Sequence, residues 1–457
     1  MPAPLRPQDL VERALAASTA DDCVVILANR TSANLRWANN TLTTNGVMHG
    51  VDATVVSFQG GGAASVSGSA GSLEQLLALV RAADAGAADA GPAEDRAELV
   101  RDRACADWSD DPAATDIHVY DAIAPALGES FGAASGAGRV LYGFVDHEIA
   151  TTYVGSTTGL RLRHVQPTGH WGCTGKADGQ SAWVGGATRD FADVDPVAFD
   201  AELARRLAWS RRSVDLPAGR YDTILPPTAV ADLLIYLYWS MGARPAHEGR
   251  SVFSRSGGGT RIGDRLAPSS VGLFSDPTYA GLECSPFAVA QASDDESSVF
   301  DNGLALDRTD WIRGGELSSL LQTRFTAGLT DQSVTPIVDN LVLGVDGATE
   351  GLDDLVAGTE RGLLLTCLWY IREVDPQTLL LTGLTRDGVY LVENGEITGA
   401  VNNFRFNESP VDLLGRFSHA GVTVPTFSRE WGDYFTRTAM PALRVPDFNM
   451  SSVSQAR

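Results

Sequence analysis

Short apolar runs cut by turns rich in glycine, asparagine and aspartate recur along most of this chain. Each break ends the apolar stripe that a long helix would need, so antiparallel sheet is the architecture this pattern can reach. The pattern is clearest near the start. Leu10, Ala14 and Leu15 recur at helical spacing through Ala17, with Asp9 placed to cap them. Cys23-Val24-Val25-Ile26-Leu27 reads as a buried strand, and Ser32–Asn39 as an extended stretch that ends in the turn signal Trp37-Ala38-Asn39-Asn40. Gly50–Ser57 and Ala63–Ser69 read as two more strands, joined by Gln59-Gly60-Gly61-Gly62. Ser72 caps a helix over Leu73–Ala83, with Leu73, Leu76, Leu77 and Val80 on one face.

From Ala82 to Asp95 the chain is almost wholly small and acidic, which predicts a linker and closes a first α+β domain at 1–95. A middle, β-rich domain is expected over 96–215. It has a helix at Tyr120–Ala126, then several short strands from Arg139 to about Arg189 with turns at Gly155, Gly159, Gly169 and Gly185-Gly186, and a closing helix over Asp195–Ser213. The third domain, 216–457, opens with the strand Tyr221–Leu225, the helix start Pro226-Pro227-Thr228 and a strongly apolar helix over Ala229–Met241. Strands crowd Gly362–Phe406, where Val374–Thr378 and Arg386-Asp387-Gly388 read as hairpin turns. The fold class is therefore α+β, with a large sheet-rich C-terminal domain.

With 457 residues, 44% of them hydrophobic, the chain can bury several cores. Its 35 basic against 57 acidic residues give a formal charge of −22, which repels phosphate backbones and excludes nucleic-acid binding as a main task. No stretch approaches the roughly 20 apolar residues of a membrane helix; the nearest, Val230–Trp239, carries Asp232. Met1–Asp9 lacks an apolar h-region, and the five scattered cysteines contain no CxxC pair. A soluble cytoplasmic protein with reduced thiols is expected.

No catalytic constellation is complete in the residues themselves. His147-Glu148 and His247-Glu248 could begin a zinc-binding helix, but a second histidine is needed one turn on, and Thr151 and Ser251 stand there. His164 and His170 flank Pro167-Thr168-Gly169, read as a hairpin turn, and could hold a metal with Cys173; decoration of a two-sided hairpin is the plainer reading. Arg205, Arg206, Arg211 and Arg212 read as a solvated helix face, and Gly257-Gly258-Gly259-Thr260 lacks the lysine of a phosphate loop.

Several segments, taken together, resemble the TldD/PmbA family, once labelled modulators of DNA gyrase and now regarded as subunits of a zinc metalloprotease. They are Asn34–Gly46, Ser251-Val252-Phe253-Ser254, Tyr370–Pro376, Leu381–Gly388, Val392–Ile397 and Val401–Phe406. In that family the TldD type carries His-Glu-x-x-x-His on a helix and a later cysteine as zinc ligands. Counting back from Ser251, the equivalent helix here is Leu233–Ser240, and Ile235-Tyr236-Leu237-Tyr238-Trp239-Ser240 stands in place of the motif. The last cysteine, Cys367, comes too early, and Pro441–Ser451 carries Val445, Pro446, Phe448 and Met450 where the ligand loop would fall.

This departure matches the TldE (PmbA) type. The resemblance implies a chain with no catalytic residue, metal or cofactor of its own, paired in a heterodimer with a TldD-type sister that holds zinc. Both chains would enclose a cavity for unfolded peptides. Ile235, Tyr236 and Ser240 would pack near the sister's active centre, and Arg386 and Asp387 would line the shared groove, with a plain hairpin turn as the alternative for the latter pair. Two other readings stand beside it: a peptide-binding homo-oligomer without activity, and a stand-alone hydrolase built on His164, His170 and Cys173.

Overall fold

Two asparagines make the reversal on which the first sheet is built. In the computed structural model, which describes residues 5–454, Asn39 and Asn40 have φ angles of 54° and 58°. That is the geometry of a two-residue hairpin turn matching the twist of its strands. The turn joins β1 (Asp22–Ala38) to β2 (Thr41–Gln59), paired from Asp22 opposite Phe58 to Ala38 opposite Thr41 with one bulge at Thr43. Cys23–Leu27 and Ser32–Asn39, separate in the sequence pattern, are parts of one strand. β3 (Gly62–Ser69) pairs only with Asp52–Gln59 of β2.

β4 (Val140–Ser156) pairs with the other side of β1, and β5 (Arg161–Ala177) and β6 (Gln180–Thr188) follow it. The result is a six-stranded antiparallel sheet of order β3-β2-β1-β4-β5-β6. The several short strands expected before Arg189 are therefore three long ones. The glycines misled, because only Gly159, with φ 95°, sits in a turn. The others lie inside strands, where a side chain has no room: a Cβ at Gly155 would fall 2.5 Å from Val11 Cγ1, and one at Gly185 2.3 Å from Trp183 Cζ2. They are cut-outs for neighbouring side chains.

Helices cover one face of this sheet. α1 (Pro7–Ala17) starts with Pro7 behind Arg6, so Asp9 lies in the first turn and bonds Arg6 at 3.2 Å in place of the cap predicted for it. α2 (Leu73–Asp89) has the expected Ser72 cap, reinforced by Gln75. It continues to Asp89, burying Ala83 and Ala87, so most of the predicted linker is helical. Small residues are used there because Gly86 packs against Ala64, where a Cβ would have 3.0 Å of clearance. α3 (Ala124–Gly136) begins later than predicted, after a 3-10 turn at Ile117–Tyr120, and α4 (Pro196–Trp209) is capped by Asp195. Cys23, Val25 and Leu27 of β1 face α1 and α2, while Leu35 and Trp37 face α3 and α4. Val24 and Ile26 face the other way, onto Phe287, Val299 and Phe300 of the third region. Strands from both sides of residue 95 thus share one sheet.

The third region wraps two further sheets around α5 (Pro227–Trp239). Every residue of α5 from Ala229 to Ile235 is buried, and a helix apolar all round must be enclosed by protein. Leu273, Trp311 and Leu341 of a six-stranded sheet and Leu363, Leu381 and Phe404 of a ten-stranded one share its core. The last described strand, Leu443–Val453, lies inside the ten-stranded sheet between Phe404–Glu408 and Gly219–Leu225. The turn after Val374 is a hairpin, as predicted. Arg386-Asp387-Gly388 is not one: it links Leu380–Thr385 to Val389–Glu393, which do not pair, so it is a crossover between distant strands. No helix among the described residues is long and apolar enough to cross a membrane.

The cut-out reading of the strand glycines is testable at Gly143, where a Cβ would lie 2.4 Å from Trp37 Cζ2 and 2.3 Å from the Gly172 carbonyl oxygen. Gly143→Ala is expected to destabilise the protein by about 1–3 kcal/mol, the range for overpacking. Gly132→Ala, at an exposed position of α3 with open space around it, should leave stability unchanged or raised by up to about 1 kcal/mol. Chemical denaturation of the two variants checks the contrast.

Candidate functional site

The C-terminal end of α5 opens on a cavity of about 510 Å³. Ile235 points into the core and is fully buried. Tyr236, Trp239 and Ser240 line the cavity, together with Trp431, Glu296 and Glu373. The Tyr236 ring lies 5.8 Å from that of Trp431, and Trp239 meets Trp431 edge-on at 5.2 Å. Ser240 ends the helix, its hydroxyl donating to the Tyr236 carbonyl at 2.8 Å. Ser251 lines the same cavity, and Val252 and Phe253 beside it are buried in the core around α5. Ile235, Tyr236 and Ser240 provide no imidazole, thiolate or carboxylate, so this end of the helix does not fit a zinc ion.

One turn earlier is a group that the sequence reading treated only as a break in an apolar run. Asp232 is buried, and its Oδ1 accepts from Ser428 Oγ at 2.6 Å and from the Glu430 amide at 3.1 Å. Trp431 Nε1 donates to the Asp232 carbonyl at 2.8 Å. Burial pushes the Asp232 carboxyl up to about 7. The loop Ser428–Trp431 is thereby pinned to α5. It reaches onward, because the Glu430 carboxylate accepts from the backbone amides of Tyr370 and Ile371 at 3.2 and 3.0 Å. The signal for Asp232 was present: a lone carboxylate in an otherwise apolar helix. Its partners lie about 200 positions away and carry no local signature.

The same loop holds the second predicted site. Arg429 lies between the rings of Trp183 and Trp369, 4.7 and 5.0 Å from their centroids, and donates to Cys367 Sγ. Asp387, at φ 50°, accepts from Ser181 Oγ at 2.6 Å and faces Arg429 at 3.3 Å. Arg386 and Asp387 line a groove within this chain, of about 910 Å³, between the β5–β6 end of the first sheet and the third region. Asp387 is largely engaged in joining those two parts. The strand Leu368–Asp375 connects the two places, with Trp369 in the groove and Ile371–Glu373 in the cavity.

His147, His164 and His170 line one cavity but are not arranged as a metal site. His164 and His170 share one continuous strand, β5, with no turn between them. Six residues of strand separate them by about 20 Å, too far for one metal ion, and Cys173 is on the opposite face inside the core. His170 stacks on Phe427 at 5.6 Å, and His164 bonds Gln166 at 3.0 Å. His147 is buried between Thr115 Oγ1 at 2.7 Å and the Arg189 carbonyl at 2.8 Å, and burial lowers its pKa. His247 is exposed at the end of a short helix. Arg205 and Arg206 both pair with Glu202 at 2.6 Å. Among the described residues no group of three or more His, Cys, Asp or Glu is arranged to hold a metal ion.

The family model described as the PmbA/TldA metallopeptidase C-terminal domain matches residues 218–452. No curated protein sequence matches the chain. Solved structures do share its fold. TldE from Thermococcus kodakarensis is 14% identical with a TM-score of 0.76, covering 97% of this chain and 99% of its own. A candidate modulator of a DNA gyrase from Thermotoga maritima is 15% identical at a TM-score of 0.75, with 97% and 99% covered. One from Bacteroides thetaiotaomicron is 14% identical at 0.76, with 98% and 99% covered.

Asp232 makes a prediction about pH. A carboxyl raised from 3.8 to about 7 in the fold favours the native state most when protonated. Its contribution is complete below about pH 4 and is lost as the pH rises through about 7. Asp232→Asn keeps the acceptor for Ser428 and Glu430 but cannot ionise. Denaturation midpoints across this window should fall with rising pH in the natural chain and fall markedly less in the variant.

Proposed function

The chain belongs to the PmbA/TldD metallopeptidase family, and on that premise we propose that it is the TldE-type, non-catalytic subunit of a two-chain zinc metallopeptidase acting on unfolded peptides or small proteins. The observation that carries the proposal is the end of α5. Where the resemblance places the zinc motif, Ile235 is committed to the core, the Tyr236 ring to Trp431 and the Ser240 hydroxyl to its own helix. Zinc and the water it activates belong in this reading to the TldD-type sister. The role of this chain is to hold that partner and to form part of the wall along which peptides are gathered. A DNA-directed role is not part of the proposal, given the charge of −22.

A place for the partner is supported by β2. Thr41–Gly50 pairs on one side with β1, and among the described residues no strand covers its other side. The segment has no Asp, Glu, Lys or Arg, and it exposes Leu42, Val47 and Met48, at 53%, 52% and 65%. Apart from a bulge at Thr43, the edge carries none of the charge or proline with which sheet proteins usually blunt such a strand, so Thr44–Gly50 suits strand addition from another chain.

Elemental analysis tests the assignment. The chain alone should be metal-free and inactive, and a one-to-one complex with its sister should carry about one zinc and cleave unfolded peptide. Stoichiometric zinc on the lone chain would sink the proposal; a stable homodimer that ignores the sister would favour the peptide-binding homo-oligomer. Val47→Lys with Met48→Lys should weaken heterodimer formation at least about tenfold, read by sedimentation velocity, with circular dichroism unchanged.

A further inference from the structure

We propose that the cavity at the end of α5 is a socket for a cationic side chain, arginine or lysine, of an extended peptide held by this chain. The inference rests on the peptide-handling role above and specifies the chemistry that the role selects. Three aromatic rings, those of Tyr236, Trp239 and Trp431, form one side of the cavity, and the carboxylates Glu296 and Glu373 line it as well. A guanidinium or ammonium is the group that both kinds of surface attract, through the ring quadrupole and through charge-assisted hydrogen bonds.

Two arginines, Arg250 and Arg372, also line the cavity, but each is engaged with other carboxylates. Arg250 is held by Glu248 at 2.7 Å and by Asp295 at 3.1 Å. Arg372 lies 3.6 Å from the Glu430 carboxylate, which is itself on the Tyr370 and Ile371 amides. Among the described residues neither Glu296 nor Glu373 has an ion-pair partner or a side-chain hydrogen bond. Burial, with Asp294 and Asp295 nearby, raises Glu296 to about 7, and burial with Asp375 nearby raises Glu373. Glu296 is half-buried and Glu373 exposed at the mouth, and neither is paired, so an incoming cation would offset the desolvation of Glu296 and meet Glu373 as a second anion.

The surroundings fit a side chain that projects from an extended peptide. Glu373 belongs to the strand Leu368–Asp375, which lies at the end of the ten-stranded sheet and joins the cavity to the Arg386–Asp387 groove. Glu296 and Trp239 also line an adjoining cavity of about 360 Å³ walled by Phe287, Ile337 and Phe435, so an apolar neighbour of the cation would find its own place. The net charge of −22 draws cationic peptides toward the chain in the first place.

The test uses two fluorescent Gly/Ser-rich peptides that differ at one position, arginine in one and its neutral isostere citrulline in the other. Binding is read by fluorescence anisotropy on the full chain, alone and in complex with its sister. The arginine peptide should bind about tenfold more tightly. That preference should vanish in the E296Q/E373Q double variant and persist in E360Q/E396Q, which removes two exposed carboxylates elsewhere. Equal binding of both peptides to the natural chain overturns the socket and leaves the peptide-handling role standing. A preference that survives E296Q/E373Q, or is lost equally in E360Q/E396Q, also overturns the socket. Binding of neither peptide to chain or complex overturns both readings.

Discussion

The buried carboxylate of Asp232 ties α5 to a loop on which both parts of the molecule converge. It holds the loop Ser428–Trp431 against α5, and that loop reaches in three directions. Arg429 enters the sandwich of Trp183 and Trp369, Glu430 takes the amides of the strand after Leu368, and Trp431 becomes the wall of the cavity beside Tyr236 and Trp239. Trp183 belongs to the first sheet and Trp369 to the third region, so the contact that shapes the cavity also joins the two parts of the chain. Burying a carboxylate is costly unless its oxygens are satisfied or protonated. Here Oδ1 has two donors and Oδ2 has none, which matches a group held partly neutral near pH 7.

The first sheet has the complementary task of presenting two different faces. Because successive strand residues point to opposite sides, β1 gives Cys23, Val25 and Leu27 to the helices and Val24 and Ile26 to the third region. Six strands then act as a common plate between a helical layer and the C-terminal sheets. Plates of this length need glycine inside the strands wherever tryptophan rings cross them, at Gly143 under Trp37 and at Gly185 and Gly186 beside Trp183 and Trp171. The edge of β2 and the cavity at the end of α5 differ in kind: one leaves backbone groups unpaired, the other is lined by side chains.

Much of the local structure was legible in the sequence. The Asn39-Asn40 turn, the Ser72 cap, the Asp195 start of α4 and the Pro227 start of α5 are decided by a few neighbouring atoms, and each stands within a residue or two of its expected place. The apolar helix and the α+β class follow from periodicity. What failed were readings that equated composition with conformation: glycines taken for turns were cut-outs, the alanine-rich acidic stretch was mostly helix, and Arg386-Asp387-Gly388 was a crossover. Likewise His164 and His170 lie close in sequence, yet a straight strand holds them apart.

By itself the sequence determined the starts of several helices, the formal charge of −22, and the absence of metal-ligating side chains at Ile235, Tyr236 and Ser240. These are properties of single residues or of short windows, where neighbours along the chain settle the outcome. Only the tertiary structure decided that strands from both sides of residue 95 share a sheet, and that Asp232 meets Ser428 and Glu430 across about 200 residues. It alone also brought Glu296 and Glu373 into one cavity with Trp239 and Trp431. Such pairings depend on which apolar faces are buried together, and burial is settled by the whole chain at once.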